Sequence, residues 1–380
     1  MIKKISLIIT LFCSLFIFSG CSTNTNTNIE NYYYVVAVGI DKIDNSDNIS
    51  LSVQIAMTAS GSSSDSSQST ESKIYTTEAI NITSGISVFD NYLSKKLNFS
   101  HCSAIIFSED IAKDGVDSYI TTFANNSEIR PTCKIIVSNT TAKEALERIS
   151  NSDEIFSSKL YEFIVDSADY TGYSINPQIV DFLYDINSEF PCAVATYALV
   201  SDDTLQNVGI AVFEGDKFVD NLDVMDSIAY SLITNNINIC TITIEDPFYS
   251  GEYIDLTISP KKDTNIKIDL VNGYPYIQID CFFECSINSM NDYFNYESSE
   301  NIEILETAVN QYIEQITLDF LYKISQKYNL DICNFKNNIS SNYLTVDEFD
   351  KINWPEIYKY SVFKVNVQSS VEYSGLLSSE

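Results

Sequence analysis

The sequence predicts a mixed α/β and α+β protein of three domains with central sheets, preceded by a cleaved N-terminal leader. Three observations indicate this organisation: strand and helix periods alternate in the first half of the chain, two shorter strand-rich groups follow, and the first residues have the composition of a secretory leader. Removing residues 1–20 from the 380 leaves 360, more than one hydrophobic core usually serves. We expect an N-terminal α/β domain over 32–190, a middle α+β domain over 191–260 and a C-terminal α+β domain over 261–380.

The leader is typical of a bacterial lipoprotein signal peptide. Two lysines precede a mostly apolar run that ends at Phe18 and is too short to span a bilayer as a permanent helix. Ser19-Gly20-Cys21 follows and resembles a lipobox, in which the cysteine becomes the lipid-carrying N-terminus, although Phe18 stands where leucine is usual. The alternative is an ordinary cleaved signal in which Cys21 is incidental. We expect a signal peptide over 1–20, lipid on Cys21 and a polar, flexible tether over 21–31.

The charge of the chain excludes one class of partner. The formal net charge is -30, and loss of Lys3 and Lys4 leaves 20 basic against 52 acidic residues, or 20 - 52 = -32. A polyanion gains nothing from neutralising phosphates, so we expect no nucleic acid partner, and anionic lipid headgroups also repel it. Membrane attachment therefore depends on the lipid of Cys21 or on a protein partner. Two acyl chains anchor a protein stably, which places the body on the outer face of a cytoplasmic membrane.

The N-terminal domain begins with a predicted hairpin, strands over 34–40 and 49–56 around a polar turn. Asp41, Asp44 and Asp47 do not have the spacing of a calcium-binding EF-hand loop, and we interpret them as turn residues. The serine-rich residues 58–72 predict a mobile surface loop. Alternating elements then follow: strands over 74–82, 101–107 and 133–137, and helices with apolar positions at 86–97, 111–123 and 142–149, then at 153–168 and 176–187.

The other two domains contain turns with clear chemistry. The middle domain has predicted strands over 192–199, 208–213, 217–219, 239–245 and 253–258, a helix over 223–234, and an exit linker at Ser259–Asp263. In the C-terminal domain, Asn272-Gly273 between strands over 266–271 and 276–283 is a strong hairpin signal, because both residues tolerate positive φ. A long helix over 301–328 and an alternating strand over 363–373 complete the prediction.

Catalytic and metal-binding motifs are missing from the sequence. It contains no phosphate-binding Gly-Lys-Ser/Thr loop, no G-x-S-x-G elbow, no C-x-x-C pair and no H-E-x-x-H motif. His101, the single histidine, lies on a predicted strand, where a structural role is expected and no catalytic partner is evident. The cysteines beyond Cys21 do not form a disulfide framework, and Cys281 and Cys285 lie about 13 Å apart along a strand. We expect no enzyme activity, no cofactor and no metal.

Short segments spread over nearly the whole chain beyond the leader occur in an order and spacing typical of one family. They are Val38-Gly39-Ile40-Asp41-Lys42, Ser52-Val53-Gln54-Ile55, Leu97-Asn98-Phe99-Ser100-His101, Ala104-Ile105-Ile106-Phe107, Ala112-Lys113-Asp114-Gly115, Glu128-Ile129-Arg130-Pro131-Thr132, Thr141-Ala142-Lys143-Glu144, Gly209-Ile210-Ala211-Val212-Phe213, Gly215-Asp216-Lys217, Leu330-Asp331-Ile332, Trp354 and Val365-Asn366-Val367. With Cys21, they resemble the Ger(x)C family of spore germination lipoproteins, the C subunits of nutrient-germinant receptors.

The resemblance implies a non-catalytic subunit that works beside the polytopic A and B subunits of a receptor that commits a dormant spore to germination. It implies lipid anchoring on the outer face of the spore inner membrane. Cys21 alone carries over with a chemical role, lipidation. Glu128, Arg130 and Pro131 match a family segment, in which Arg130 is either a structural ion pair or a partner contact.

Two other functions are compatible with an exported body. An extracytoplasmic solute-binding lipoprotein of a transporter needs two similar lobes around a ligand cleft, whereas this chain predicts one larger domain and two dissimilar smaller ones. A secreted hydrolase depends on His101 as its base. The receptor subunit is the function that we expect.

Overall fold

The computed structural model describes residues 31–57, 71–150, 171–201, 204–289, 296, 298–340 and 352–372. The predicted leader, the tether with Cys21, the helix over 153–168 and most of the serine-rich loop lie outside these residues. Two sheets organise the described chain, which confirms the predicted mixed α/β class. In the described residues, no helix has the length and apolar character needed to cross a membrane.

The larger sheet has nine strands and a parallel centre. Its order is β3-β2-β1-β5-β6-β7-β8-β9, with β4 paired to β1; β1, β5, β6 and β7 are parallel, and the outer pairs are antiparallel. The strands are β1 (Tyr32–Lys42), β2 (Ile49–Met57), β3 (Glu71–Ala79), β4 (Lys96–Asn98), β5 (Ala104–Ser108), β6 (Lys134–Ser138), β7 (Cys192–Ser201), β8 (Thr204–Glu214) and β9 (Lys217–Leu222). The parallel centre follows from the helices that connect these strands.

Helices cover both faces of this sheet. They are α1 (Ile82–Tyr92), α2 (Glu109–Asp114), α3 (Asp117–Ala124), α4 (Ala142–Ser150) and α5 (Ile179–Ile186). Apolar residues of α1, α2, α3 and α5 share one core, while α4 packs on the opposite face. The close approach of α4 depends on Gly39, since a Cβ there would lie 3.0 Å from the Leu146 side chain and 3.1 Å from the Ala142 Cβ. β3 ends earlier than predicted because Asn81 caps α1 through a reciprocal hydrogen-bond pair with Ser84.

The smaller sheet has the order β10-β11-β12-β13. Its strands are β10 (Cys240–Glu245), β11 (Tyr253–Val271), β12 (Tyr274–Ser289) and β13 (Val362–Glu372), and the helices of this half are α6 (Val224–Ile233), α7 (Ser299–Tyr322), α8 (Phe335–Ser340) and α9 (Trp354–Tyr358). The predicted hairpin is confirmed: Asn272 and Gly273 join β11 to β12 with φ of 54° and 85°. The predicted long helix continues past α7 as a π-helical turn, Lys323–Tyr328.

The core of the smaller sheet extends onto the larger one. Ile210 and Val212 of β8 contribute to it, whereas Ala211 and Phe213 face the core on the other side of the same strand. This alternation is the period of a strand buried on both faces. The two sheets therefore share apolar contacts across β8.

The predicted linker Ser259–Asp263 is wrong, because these residues lie within β11. The pairing of β11 with β12 shifts register between Pro260 and Lys262 and again before Asn265, so a proline and charged residues are accommodated by irregular pairing.

The domain ranges 32–190, 191–260 and 261–380 remain a prediction. Strand β7 begins at Cys192 and joins the same sheet as β6.

The edge strand β13 is covered at its C-terminal end by helix α7. The backbone N–H of Ser369 donates to the Asn310 side chain at 2.9 Å, and that of Val371 donates to the Glu306 carboxylate at 2.8 Å. Side chains of α7 thus bind the outward backbone groups that a neighbouring strand would otherwise pair.

Candidate functional site

Asp41 connects the carboxyl end of β1 to the beginning of α4. Its carboxylate accepts hydrogen bonds from the backbone N–H of Ala142 at 2.5 Å and of Lys143 at 3.0 Å, and Ser108 adds a side-chain hydrogen bond. Burial raises the pKa of Asp41, with these hydrogen bonds acting in the opposite direction. The interpretation of Asp41 as a turn residue is therefore wrong; Asp44 and Asp47 do lie exposed in the β1–β2 connection.

Glu128 joins the two loops that precede β5 and β6. Its carboxylate accepts from the Phe99 N–H at 2.9 Å, and the Arg130 carbonyl accepts from the Cys133 N–H at 3.0 Å. The Arg130 side chain is exposed and forms no ion pair with any residue that the structure describes. The loop is thus held by Glu128 and by backbone bonds, and the Arg130 guanidinium is exposed.

His101 lies in the turn before β5, which begins only at Ala104, so its predicted strand position is wrong. The imidazole is exposed and meets the Tyr34 ring edge to face, with centroids 4.9 Å apart. Within the described ranges no carboxylate pairs with it. This geometry offers no oriented acid for a catalytic triad.

A third carboxylate, that of Asp216, lies at the beginning of α3. Its backbone carbonyl accepts from the Val116 N–H at 3.0 Å and its carboxylate from the Asp117 N–H at 3.2 Å. A side chain at Gly115, whose φ is 126°, would collide with the same carboxylate. Lys42 and Asp114 form an ion pair of 2.5 Å nearby. Segments that are remote in the sequence are therefore joined through acidic side chains.

Asp331 and Trp354 form a buried polar contact in the C-terminal half. The Asp331 carboxylate accepts from the Phe335 N–H at 2.9 Å, the Lys336 N–H at 2.8 Å and the Trp354 Nε1–H at 2.9 Å. Burial raises the pKa of Asp331 to about 7, opposed by those three hydrogen bonds. The sequence pattern marked Asp331 and Trp354 separately but carried no signal that they touch.

A cavity of 210 Å³ lies beside this pair, at the junction of β7 and β8 with α9. It is lined by Glu189, Phe190, Pro191, Cys192, Glu214, Asn329, Leu330, Asp331, Trp354, Pro355 and Tyr358. Two polar atoms of these residues, Tyr358 Oη and Asn329 Oδ1, are buried in the protein and have no hydrogen-bond partner among the described residues.

Two larger cavities lie elsewhere on the body. They have volumes of 410 and 430 Å³ and share Tyr230, Asn235 and Asn236 as lining residues. Asn235 accepts from the Thr264 N–H at 2.7 Å and Asn236 donates to the Thr234 hydroxyl at 2.9 Å. These amides already serve the local turns.

The described cysteines behave as buried apolar residues. Those that the structure describes are free and buried: Cys102, Cys133, Cys192, Cys240, Cys281, Cys285 and Cys333. Burial raises the pKa of Cys240 and Cys285 to about 12. In the described part of the chain, no group of three or more His, Cys, Asp or Glu side chains is placed to hold a metal ion. The predicted lipidation site, Cys21, lies outside the described residues.

Comparisons with known proteins agree over almost the whole chain. Residues 25–199 match the model "Spore germination protein N-terminal domain", and residues 208–375 match "Spore germination B3/ GerAC like, C-terminal". Spore germination protein KC of Bacillus subtilis is 23% identical over 94% of this chain and 92% of its own length, and spore germination protein GerQC of Bacillus cereus is 20% identical over 80% and 84%. The crystal structure of the GerBC protein matches with a TM-score of 0.58 at 17% identity, over 88% of this chain and 96% of that one, which shows the same fold.

Proposed function

Because this chain belongs to the GerAC-like family of spore germination proteins, we propose that it is the lipid-anchored, non-catalytic C subunit of a nutrient-germinant receptor, needed for receptor assembly or signalling. The observation that carries the proposal is the match of both family models, one after the other along the chain, at 25–199 and 208–375. Its partners are then the polytopic A and B subunits, and its place is the outer face of the spore inner membrane.

The environments of the acidic side chains support a role in binding rather than catalysis. Asp41, Asp331 and Asp216 each accept hydrogen bonds from backbone N–H groups at or near the beginning of a helix, where a carboxylate stabilises the helix. His101 contacts an aromatic ring instead of a carboxylate. These side chains stabilise the fold, which is consistent with a subunit that acts through contacts of its surface.

Arg130 supports a specific contact with a partner. The sequence left two roles for this residue, and the absence of an ion pair among the described residues favours the partner contact. Its backbone is fixed by the Cys133 N–H and by the neighbouring Glu128 bond. An exposed arginine is a frequent energetic centre of protein interfaces, and its planar fork suits a carboxylate.

The lipid anchor determines how far the body can move from the membrane. Eleven residues separate Cys21 from Tyr32 at the beginning of β1 (32 - 21 = 11). Fully extended, they reach roughly 36–40 Å. A lipid on Cys21 therefore keeps β1 within that distance of the bilayer, where polytopic partners are accessible.

Germination of a deletion strain tests the receptor role and the anchor. Spores without this gene are complemented with the native chain, with Cys21→Ala or with Cys281→Ala, a matched control cysteine in the core. We expect the native chain and the control to restore the nutrient response and Cys21→Ala to fail, with loss of mass-spectrometric evidence for a lipid. Undiminished responses of the deletion strain to every nutrient would contradict the receptor role.

Arg130→Glu tests the partner contact. We expect at least a tenfold loss in the amount of this subunit that co-purifies with tagged A and B subunits, since a charge reversal at an interface centre costs on the order of 2 kcal/mol or more. Arg148→Ala is the matched control, because the other arginine of the chain already pairs with Glu144. Full recovery of the Arg130→Glu subunit would leave Arg130 outside the interface.

The solute-binding alternative predicts two similar lobes. The described chain instead has one sheet of nine strands and one of four, which differ in size and in strand direction. The structural similarity to the GerBC protein supports this fold of two unequal sheets. The receptor subunit remains the proposal.

A further inference from the structure

Two of the buried cysteines lie in direct contact. The sulfur atoms of Cys102 and Cys133 are 4.0 Å apart, and both residues belong to the apolar core on one face of the larger sheet. Their side chains are 2% and 1% exposed. A disulfide has a sulfur–sulfur bond of roughly 2.05 Å, so the two sulfurs would need to approach each other by only about 2 Å.

The backbone brings these cysteines together from neighbouring strands. Cys102 and Cys133 lie just before β5 and β6, which pair in parallel with Ala104 opposite Lys134. The Lys134 N–H donates to the Ser103 carbonyl at 2.9 Å, so the pairing extends to the cysteines' neighbours. Adjacent strands lie about 4.8 Å apart, and a disulfide spans roughly 4.4–6.8 Å between Cα atoms. Neighbouring positions on these strands therefore have the spacing that a disulfide needs.

A bond between the two sulfurs would join the same loops that Glu128 joins. The Cys102 N–H donates to the Phe99 carbonyl at 2.9 Å, and the Phe99 N–H donates to the Glu128 carboxylate at 2.9 Å. In the other loop, the Cys133 N–H donates to the Arg130 carbonyl at 3.0 Å. A covalent link between positions 31 residues apart would restrict the segment that contains Arg130.

We propose that Cys102 and Cys133 form a disulfide when the chain folds in the presence of a small-molecule disulfide as oxidant. One cysteine thiolate attacks the oxidant, which gives a mixed disulfide and releases one thiol. The other cysteine thiolate attacks the protein sulfur of that mixed disulfide, so the protein bond forms and a second thiol leaves. Two protein thiols are thus oxidised, one oxidant molecule is reduced to two thiols, and the two cysteine protons pass to those thiols.

The exchange takes place while the chain folds, because the folded core protects both thiols. Contact with Cys133 and burial raise the pKa of the Cys102 thiol, so its reactive thiolate is scarce once the core has formed. In the unfolded chain both thiols are open to the oxidant, and folding then brings their sulfurs together. Disulfides persist outside the cytoplasm, where the proposed function places this chain. The inference goes beyond that function, since it concerns the purified chain alone.

Refolding of the purified full chain in detergent tests the pair. The reduced chain is unfolded in urea and diluted into equimolar oxidised and reduced glutathione, or into dithiothreitol as the reducing control. Remaining thiols are alkylated in urea, and peptide mapping by mass spectrometry locates every bridge. We expect a bridge between Cys102 and Cys133 at least about tenfold more abundant than any other after glutathione, and no bridge after dithiothreitol.

Further measurements separate a native bridge from chance oxidation. Cys133→Ala should abolish the bridge, whereas Cys281→Ala, at another buried cysteine of the sheets, should keep it. The bridged native chain should melt at least about 4 °C above the reduced native chain. Hydrogen exchange of the Phe99 and Cys133 N–H groups should be slower in the bridged chain. The reduced native chain is the reference for both, so these two results do not depend on a variant.

Three results would overturn the proposal. A chain that regains native near-ultraviolet circular dichroism in the glutathione buffer without a bridge shows that contact of the sulfurs is not enough. Bridges spread evenly over several cysteine pairs show that the native contact does not select this one. A bridged chain that melts at or below the temperature of the reduced chain shows that the bond does not fit the fold. None of these results bears on the germination phenotype, so failure of this inference and failure of the receptor role are distinguishable.

Discussion

The indole N–H of Trp354 donates to the carboxylate of Asp331 over 2.9 Å, and both residues are buried. The same carboxylate binds two N–H groups at the beginning of α8. One side chain thus fixes the position of α9 relative to α8. Because its pKa is raised to about 7 by burial, this contact makes stability depend on pH.

The first prediction concerns that dependence. The pKa of Asp331 is higher in the folded chain than its ordinary 3.8, so between these values the folded state binds more protons than the unfolded state, and stability falls as pH rises from about 4 to about 7. The loss amounts to roughly 4 kcal/mol at 1.36 kcal/mol per pKa unit. Urea unfolding at several pH values should reveal this fall in the native chain and its absence in Asp331→Asn. Parallel pH profiles of the two proteins would refute the assignment.

The second prediction concerns Asp41. Asp41→Ala removes the acceptor of two backbone N–H groups at the beginning of α4 and should lower the free energy of unfolding by about 2–3 kcal/mol. Asp44→Ala, in the exposed turn after β1, should change it by less than about 0.5 kcal/mol. Chemical denaturation measures both. Equal effects of the two substitutions would mean that burial of Asp41 does not matter.

Gly209 provides the third prediction. Its φ is 152°, and a Cβ there would collide with the carbonyl oxygen of Leu222 on β9. Gly209→Ala should therefore cost more than about 3 kcal/mol, because the collision involves backbone that cannot rotate away. Gly251→Ala, at a φ of 85° but with no atom within 4 Å, isolates the conformational part at about 1 kcal/mol. Similar melting temperatures for the two variants would show that β9 moves to accommodate the added methyl group.

The fourth prediction concerns thiol reactivity. Since the described cysteines are buried and burial raises the pKa of Cys281 to about 11, few thiolates exist near neutral pH. Iodoacetamide should label the folded chain about a hundredfold more slowly than the chain in urea. Thr132→Cys adds an exposed thiol as a positive control. Rapid labelling of a native cysteine, located by peptide mapping, would identify a region that opens easily.

Local chemistry explains which parts of the fold could be predicted. Asn272-Gly273 determines its hairpin because both residues accept positive φ, and the apolar period before Tyr322 determines the long helix. Proline and charged residues normally end strands, so the sequence predicts a linker at Ser259–Asp263, whereas in the structure the strand continues and its pairing register shifts around them. Pairing with β12 on either side overrides that local preference.

The carboxylate contacts were beyond prediction for a different reason. Asp41 and Ala142 are 101 residues apart, and 52 acidic residues offer no way to choose the one that is buried. The cavity beside Trp354 likewise assembles residues from Glu189 to Tyr358, so only the folded chain reveals it. Chain topology, and not local pattern, brings these groups together.

The contacts of Asn310 and Glu306 with β13 have a consequence for self-association. An uncovered strand at the edge of a sheet is a template on which a second chain can add. Near the end of β13 the outward N–H groups of Ser369 and Val371 are already bound by α7, so a foreign strand would first have to displace this helix. Helix α7 therefore opposes the addition of a strand from a second chain to the edge of this sheet.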